Sequence, residues 1–329
     1  MSAEASALGQ GAAEQAPGFD GGPARAELYP PADARPAPPA RSVGSVMMDL
    51  LALTKPRITG MVIFTTLGGF WLVGRLGERA AASRSLLALT LVGTALVVAS
   101  ANTLNMYLER DTDALMARTR SRPLPAGRLS AVAALWLGMI LGAAALPMLT
   151  FGVNAATGAL AAIALVSYVL LYTPLKRRTT ASLLIGAVPG AIPPLLGWTA
   201  AAGTIEWPGV ALFGVMFLWQ IPHFLAIATF RKEDYRRAGL KILPVERGDR
   251  VTRHHIVAYL AALVLVTLVL VPAGIAGPFY LVAASLLGGG FFVMGLWGLR
   301  ATAGARWARG LFLASIVYLV LLLAALVIG

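Results

Sequence analysis

The sequence contains no cysteine and only three histidines, His223, His254 and His255. Without cysteine, the chain can form no disulfide, no thiolate metal site and no cysteine nucleophile. Three histidines are too few for the multi-histidine centres of many metalloenzymes. Charged residues are also scarce, at 13% where soluble domains have about a quarter. These absences exclude several classes of soluble enzyme and point to a membrane protein.

Apolar residues are abundant instead. They make up 58% of the 329 residues, and the mean hydropathy is +0.75. The formal net charge of +12 would suit nucleic-acid binding, but basic loops facing an anionic leaflet explain it better in a membrane protein. We therefore expect the chain to contact a lipid bilayer and no nucleic acid.

Residues 1–46 differ from the rest of the chain. They are rich in Ala, Pro and Gly, lack a long apolar run, and carry acidic residues that do not suit a secretory signal or a mitochondrial transit peptide. We predict a disordered cytoplasmic tail over 1–46, a membrane domain over 47–329 and a bacterial cytoplasmic (inner) membrane as the location.

The membrane domain contains nine apolar stretches long enough, or nearly so, to form transmembrane helices. They are residues 58–76, 86–107, 130–149, 153–172, 182–202, 207–230, 256–275, 280–299 and 307–328. Most of the 27 Lys and Arg residues lie in alternate connections, which places the N-terminus in the cytoplasm and the C-terminus outside. The predicted fold is an all-α integral membrane bundle of nine helices.

Polar residues at the end of the second stretch form the first candidate site. Asn105, Glu109 and Asp113 are spaced by four residues, so a helix that continues this far carries them on one face. Mg²⁺ prefers one or two carboxylates together with phosphate oxygens of a substrate. Arg118 and Arg122 follow, as a diphosphate would require. A solvated helix end beside a basic loop explains the same residues equally well.

A second polar group lies at and beyond the end of the sixth stretch. Gln220, Pro222 and His223 interrupt an apolar run, which is costly unless they line a cavity. A lone histidine can equally serve as a hydrogen-bond partner inside the bundle. Glu233 and Asp234 either hold a second metal or pair with the arginines beside them.

Tyr172 and Lys176, one helical turn apart, add a hydroxyl and a cation on the same predicted side. Acidic clusters with a basic rim at one membrane face suit a diphosphate site that opens into hydrocarbon. Such a site can ionise an allylic diphosphate while the bundle excludes water. This predicts prenyl transfer. A membrane transporter is the alternative from another class, but we see no convincing internal repeat of the kind that many transporters have.

Several sequence blocks resemble the protoheme IX farnesyltransferase family of the intramembrane aromatic prenyltransferase superfamily. The blocks are LTKPR (53–57), NTLNMYLERDTDALMARTRSRP (102–123), YTPLKR (172–177), GAIPP with GW (190–198), and WQIPHF with EDY (219–235). They occur in the expected order, and the count of nine helices agrees with the family.

The resemblance implies an enzyme that uses Mg²⁺ and transfers farnesyl from farnesyl diphosphate to a vinyl group of haem b. The product would be haem O, on the route to haem A, which makes a haem A synthase a candidate partner. The implied metal ligands are Asn105, Glu109, Asp113 and Asp234, and Lys176 completes the catalytic set. The implied substrate-binding residues are Lys55, Arg57, Asn102, Arg118, Arg122, Tyr172, His223, Lys232 and Glu233, with His223 near the acceptor.

The chain departs from sister families at two positions. Those families have Asp where Glu109 stands, and a spaced aspartate pair where this chain has the adjacent Glu233 and Asp234. A quinone or another aromatic acceptor is the alternative within the same enzyme class. Glu109 and the block at 219–224 weigh against it.

Overall fold

The computed structural model describes residues 42–76, 83–300 and 302–328 of the chain. All regular structure in these residues is helical. The elements are α1 Val43–Leu53, α2 Pro56–Arg75, α3 Arg84–Ala114, α4 Ala131–Gly152, α5 Ala155–Val166, a π-helical segment Ser167–Tyr172, α6 Thr173–Leu175, α7 Ser182–Ala202, α8 Trp207–Phe230, α9 Lys232–Arg237, α10 Leu243–Glu246, α11 Gly248–Val269, α12 Pro278–Trp297 and α13 Ala305–Ile328.

Nine helical segments in the described ranges are long and apolar enough to cross a bilayer. They are α2, α3, α4, the continuous segment from α5 to α6, α7, α8, α11, α12 and α13. Large apolar side chains such as Leu286, Leu313 and Ile328 are exposed on their outer faces, which lipid tolerates and water does not. The protein is therefore a multi-pass integral membrane protein, and the prediction of nine helices is confirmed. The orientation of the termini stays a prediction.

Two helices extend by about two turns beyond the predicted apolar stretches. α3 ends at Ala114 rather than at 107, and α11 begins at Gly248 rather than at 256. The apolar stretches are shorter than these two helices because the additional turns carry polar side chains. In α3 those turns include Glu109 and Asp113, whose carboxylates are paired inside the protein.

α2 and α7 approach each other closely through glycine. A Cβ on Gly69 would lie 2.0 Å from the carbonyl oxygen of Pro194, and one on Gly197 would lie 1.9 Å from that of Thr66. Small residues commonly allow such contacts between membrane helices. The predicted stretch 182–202 is thus one helix that contains its glycines and prolines and packs closely on α2.

α1 begins at Val43, earlier than the predicted domain boundary at 47. Ser42 caps this helix, because its Oγ accepts a hydrogen bond from the Ser45 backbone N–H at 3.3 Å. Arg128 donates from Nε and Nη2 to the Asp49 carboxylate at 3.1 Å, which fixes α1 to the loop after α3. The rest of the predicted tail, residues 1–41, lies outside the described residues.

Candidate active site

The C-terminal turns of α3 form one wall of the candidate site. Because the helix continues to Ala114, Asn105, Glu109 and Asp113 lie on one face, as their spacing predicted. Asn105 and Asp113 are buried. Each of the three side chains contacts a group from another part of the chain, and these contacts bring four segments together.

Glu109 is paired with Lys176, which follows α6. The distance between Lys176 Nζ and Glu109 Oε1 is 2.9 Å, and the same Nζ lies 4.3 Å from the centre of the Tyr172 ring. Burial opposes the charge of Lys176, but Tyr172 and Glu109 outweigh burial and raise the pKa of the lysine well above its ordinary value. Lys176 is therefore a fixed cation.

Asp113 is paired with Arg122 from the loop after α3. Arg122 Nη1 lies 2.7 Å from Asp113 Oδ2. Thr119 Oγ1 donates to the Asp113 backbone carbonyl at 2.7 Å, which shapes the intervening turn. The loop thus folds back, so that Arg122 faces the C-terminal end of α3.

Lys55 joins the site from the junction between α1 and α2. Its Nζ donates to Asn105 Oδ1 at 3.2 Å, while Asn102 Nδ2 donates to the Thr54 carbonyl oxygen at 3.4 Å. Burial, together with the cations Arg122 and Lys176, lowers the pKa of Lys55 to about 7.

The backbone of Lys55 is also strained. With φ of 49°, it is the one non-glycine residue with a positive φ in the described part of the chain. A left-handed backbone and a buried ammonium are both costly, and such features gather at functional sites.

Thr173 completes the connections of Asn105, and we did not predict it as a site residue. Asn105 Nδ2 donates to Thr173 Oγ1 at 3.1 Å, and Thr173 Oγ1 donates to the Tyr168 carbonyl oxygen at 2.8 Å. Thr173 directly follows the π-helical segment Ser167–Tyr172, a conformation frequent at functional sites. The YTPLKR block contains Thr173, but nothing in the sequence shows that it reaches Asn105.

These contacts define the buried ionic cluster. Its members are Lys55, Asn105, Glu109, Asp113, Arg122 and Lys176. A cavity of about 380 Å³ adjoins the cluster between α3 and the π-helical segment. It is lined by Leu108, Glu109, Val169, Leu170, Thr173, Pro174, Arg177 and Arg178. The cavity thus combines apolar walls with one carboxylate and two cations, which suits an anionic amphiphile.

The donor set of the cluster fits Mg²⁺ bound together with a phosphate ligand. Glu109 and Asp113 offer carboxylate oxygens and Asn105 an amide oxygen, the ligand types that Mg²⁺ takes. In the described ranges, no group of three or more His, Asp or Glu side chains could hold a metal alone. The fit is therefore to a metal that shares its coordination with substrate oxygens.

The second acidic motif has different surroundings. Glu233 is exposed and pairs with Arg236 at 2.6 Å and Arg237 at 3.5 Å. Asp234 lies 3.8 Å from Arg231. Neither carboxylate contacts the buried ionic cluster in the described structure. The role of Asp234 as a metal ligand stays a prediction, and the structure shows only that the arginines beside these acids in sequence pair with them.

Three predicted substrate-binding cations make no contact with the cluster among the described residues. Lys232 pairs with Asp249 at 2.8 Å. Arg57 and Arg118 are exposed, and neither side chain makes a hydrogen bond or ion pair with a described residue. The loop that contains Arg118 does contact the second motif, because Met116 packs with Leu240 beyond α9. The two motifs thus lie at the same end of the bundle.

His223 lies on α8 and faces α13. Its Nδ1 is 2.7 Å from Ser315 Oγ, and its ring stacks on Trp219 at 4.8 Å between centres. Gln220 is buried, and its Nε2 donates to the Met216 and Ala187 carbonyl oxygens. Both polar side chains are therefore hydrogen-bonded within the bundle. For Nδ1 of His223, the sequence analysis gave this role, a hydrogen bond inside the bundle, as the alternative to lining a cavity.

The UbiA prenyltransferase family model matches residues 62–316. The chain belongs to the UbiA prenyltransferase family. The protoheme IX farnesyltransferase of Sorangium cellulosum (strain So ce56) is 64% identical over 279 residues, which cover 82% of this chain and 100% of that protein. The protoheme IX farnesyltransferase of Myxococcus xanthus (strain DK1622) is 50% identical over 288 residues, covering 87% of this chain and 96% of that protein.

Solved structures share the fold of this UbiA-family chain. A digeranylgeranylglyceryl phosphate synthase has a TM-score of 0.73 at 18% identity, covering 86% of this chain and 98% of that one. A UbiA homologue from Archaeoglobus fulgidus bound to GPP and Mg²⁺ has a TM-score of 0.59 at 17% identity, covering 85% and 100%. The predicted family and fold class are thereby confirmed, and membership of a prenyltransferase family contradicts the transporter alternative.

Proposed function

We propose that this UbiA-family enzyme transfers the farnesyl group of farnesyl diphosphate to a vinyl group of protoheme IX and releases diphosphate. The observation that carries the proposal is the buried ionic cluster at one end of an apolar helix bundle, in a chain 64% identical to a protoheme IX farnesyltransferase. Carboxylates and cations suit a diphosphate, and the surrounding helices suit an isoprenoid chain.

The residues of the cluster have separate roles in this proposal. Lys176 and Arg122 contact the diphosphate oxygens, and Lys55, beside Asn105, adds a third cation once the negative diphosphate keeps it protonated. Asn105 is held on both sides, by Lys55 at Oδ1 and by Thr173 at Nδ2, so that its orientation is fixed before substrate binds. Pre-oriented polar groups cost no reorganisation when charge develops on the leaving group.

Asn105, Glu109 and Asp113 would hold Mg²⁺. When bound, Mg²⁺ would offset negative charge on the departing diphosphate. The UbiA homologues bound to GPP or DMAPP together with Mg²⁺ support this assignment for the fold. Lys176 and Arg122 pair with the carboxylates of Glu109 and Asp113, so cations and carboxylates already face one another in the cluster.

The reaction breaks three bonds (C1–O of farnesyl diphosphate, the vinyl π bond and one O–H bond of water) and forms three (a carbon–carbon bond, a carbon–oxygen bond and a new O–H bond on the departing diphosphate, which takes up the proton). The bond between C1 of farnesyl and the diphosphate oxygen breaks, and the electron pair leaves with diphosphate. The vinyl π electrons of haem b then form a carbon–carbon bond to C1, and water adds to the resulting cation beside the porphyrin and loses a proton. The apolar bundle shields the first cation from premature reaction with water.

His223 is our candidate at the acceptor end. It lies in the last two turns of α8, whose end leads into the second motif at the same end of the bundle as the cluster. Its aromatic neighbours Trp219, Phe224 and Phe312 suit a flat macrocycle.

Because haem O is an intermediate on the route to haem A, we also propose a haem A synthase as a partner, to be tested by co-purification.

The test is chromatography of haems after the purified, membrane-reconstituted protein is incubated with haem b, farnesyl diphosphate and Mg²⁺. We expect a new, more strongly retained haem whose formation stops when Mg²⁺ is chelated. Unchanged haem b, together with prenylation of an aromatic acid or quinone precursor offered in parallel, would overturn the acceptor in favour of the alternative.

A further inference from the structure

Ser315 on α13 contacts two side chains of α8. Trp219 Nε1 donates to the Ser315 backbone carbonyl at 2.8 Å, and His223 Nδ1 lies 2.7 Å from Ser315 Oγ. Ser315 is fully buried. These two hydrogen bonds make it the point at which the last membrane helix fixes the position of the histidine.

The second hydrogen-bond partner of Ser315 Oγ bears on the tautomer of His223. Ser315 Oγ lies 2.5 Å from the carbonyl oxygen of Phe312, one turn earlier, and that oxygen can only accept. The serine has one hydroxyl proton. When this proton is donated to Phe312, Oγ accepts from His223, so the imidazole carries its proton on Nδ1 and a lone pair on Nε2.

The surroundings of His223 hold the ring in place. Its centre lies 4.8 Å from that of Trp219, 4.9 Å from Phe312 and 5.4 Å from Phe224. Rings packed at such distances resist rotation. Nε2 has no hydrogen-bond partner among the described residues, and the side chain is partly exposed. The nitrogen with the lone pair is thus the one left free.

The geometry points to Ser315 as a positioning residue that holds His223 in the tautomer with a free Nε2 lone pair. The inference rests on the proposed function, because an iron porphyrin is an acceptor that such a lone pair can bind. Histidines that bind a metal almost always donate their other ring N–H to a protein oxygen, which fixes the tautomer. Ser315 acts through His223 and contacts no reacting atom.

Nitrogen NMR of ¹⁵N-histidine-labelled protein in detergent tests the tautomer directly. The chain has three histidines, so His254→Gln and His255→Gln assign the signal of His223 by elimination. We expect the proton on Nδ1 in the wild type, a shift to the Nε2–H form or a mixture in Ser315→Ala, and the wild-type tautomer in Ser315→Thr. Tyr318→Phe removes another buried hydroxyl one turn away and should change nothing.

A proton on Nε2 in the wild type would overturn the inference, as would an unchanged tautomer in Ser315→Ala. Both outcomes are decided by the wild type and Ser315→Ala alone. They therefore hold even if Ser315→Thr does not fold, since its added methyl group enters a fully buried site.

Steady-state kinetics form the second arm. In Ser315→Ala, the KM for haem b should rise roughly tenfold or more, a size typical of lost partners of metal-binding histidines. The KM for farnesyl diphosphate should stay within about twofold. Equal changes in both constants would indicate a merely structural role. If even the wild type does not consume haem b, the proposed function fails while the NMR result still decides the tautomer.

Discussion

The two acidic motifs of the chain have similar side chains and opposite surroundings. The carboxylates of the first are paired with cations from other segments, and those of the second with arginines of their own neighbourhood. The pairs are Glu109–Lys176 and Asp113–Arg122 in the first, and Glu233–Arg236, Glu233–Arg237 and Asp234–Arg231 in the second. The Asp113 side chain is 2% exposed and that of Glu233 57%.

This difference separates the first motif from the exposed ion pairs of Glu233, while the Asp234 side chain is only 18% exposed. Exposed pairs within one helix contribute about 0.3–0.5 kcal/mol and form wherever opposite charges stand three or four residues apart. Buried ions lose several kcal/mol of hydration each, so they are poor devices for stability alone. The buried ionic cluster is therefore the region in which we expect ligand binding. Glu233 in the second motif, whose side chain is 57% exposed, should contribute little to ligand binding.

The largest effect should follow from neutralising Glu109. Glu109→Gln removes a proposed metal ligand and leaves Lys176 without its partner, so turnover should fall on the order of 10²–10³-fold. Asp111→Asn is the matched control, because Asp111 belongs to the same motif but is 69% exposed and should keep wild-type turnover. Assays of membrane-inserted, monodisperse protein decide the comparison, and equal activity of the two variants would refute it.

The next largest loss of turnover should occur at Arg122 and not at Arg118, the two compared arginines of the loop after α3. Arg122→Ala removes a proposed phosphate contact and leaves the buried Asp113 unpaired, so turnover should fall about 100-fold. Arg118→Ala should change turnover by less than about threefold, because that side chain is exposed. Steady-state kinetics with varied farnesyl diphosphate measure both. A larger loss in Arg118→Ala would show that substrate recruits the exposed arginine instead.

A smaller effect is expected at Thr173. Thr173→Val deletes the hydroxyl that accepts from Asn105. An unsatisfied buried group costs at least about 1 kcal/mol, which in the activation free energy corresponds to about a fivefold or greater loss of turnover. Thr252→Val is a suitable control, since this buried hydroxyl bonds only to Gly248 of its own helix among the described residues. Equal turnover of Thr173→Val and wild type would remove Thr173 from the site.

The smallest effect is expected in the second motif. Glu233→Gln breaks two exposed ion pairs, so turnover should stay within about twofold of wild type and stability within about 1 kcal/mol. The same assay with and without added Mg²⁺ checks this result. A loss as large as that of Glu109→Gln would show that the second motif folds inward to bind substrate, and the distinction between the two motifs would fail.

The sequence predicts the first motif well because its information is local. Apolar length identifies the nine helices, and the spacing of Asn105, Glu109 and Asp113 gives the shared face once the helix continues. The partners are a different matter. Lys176 lies 67 positions from Glu109 and Lys55 lies 50 from Asn105, so only the resemblance to a family linked them before the structure did.

Other features cannot be derived from the sequence. Glu233 and Asp234 are acidic residues of the kind found in binding sites, but their identity does not tell whether the short helix α9 faces the cluster or the surface. Ser315 is a single small polar residue in the apolar run of α13, and its contact with His223 depends entirely on how α8 and α13 pack. Packing between distant helices is what the sequence pattern leaves open.

Binding of a non-reactive thiodiphosphate analogue of farnesyl diphosphate tests the central claim, that the buried ionic cluster is the diphosphate site. Calorimetry would compare wild type, Glu109→Gln and Glu233→Gln, each with and without Mg²⁺. We predict Mg²⁺-dependent binding in the wild type and in Glu233→Gln, and its loss in Glu109→Gln. Binding that survives in Glu109→Gln and disappears in Glu233→Gln would contradict the account.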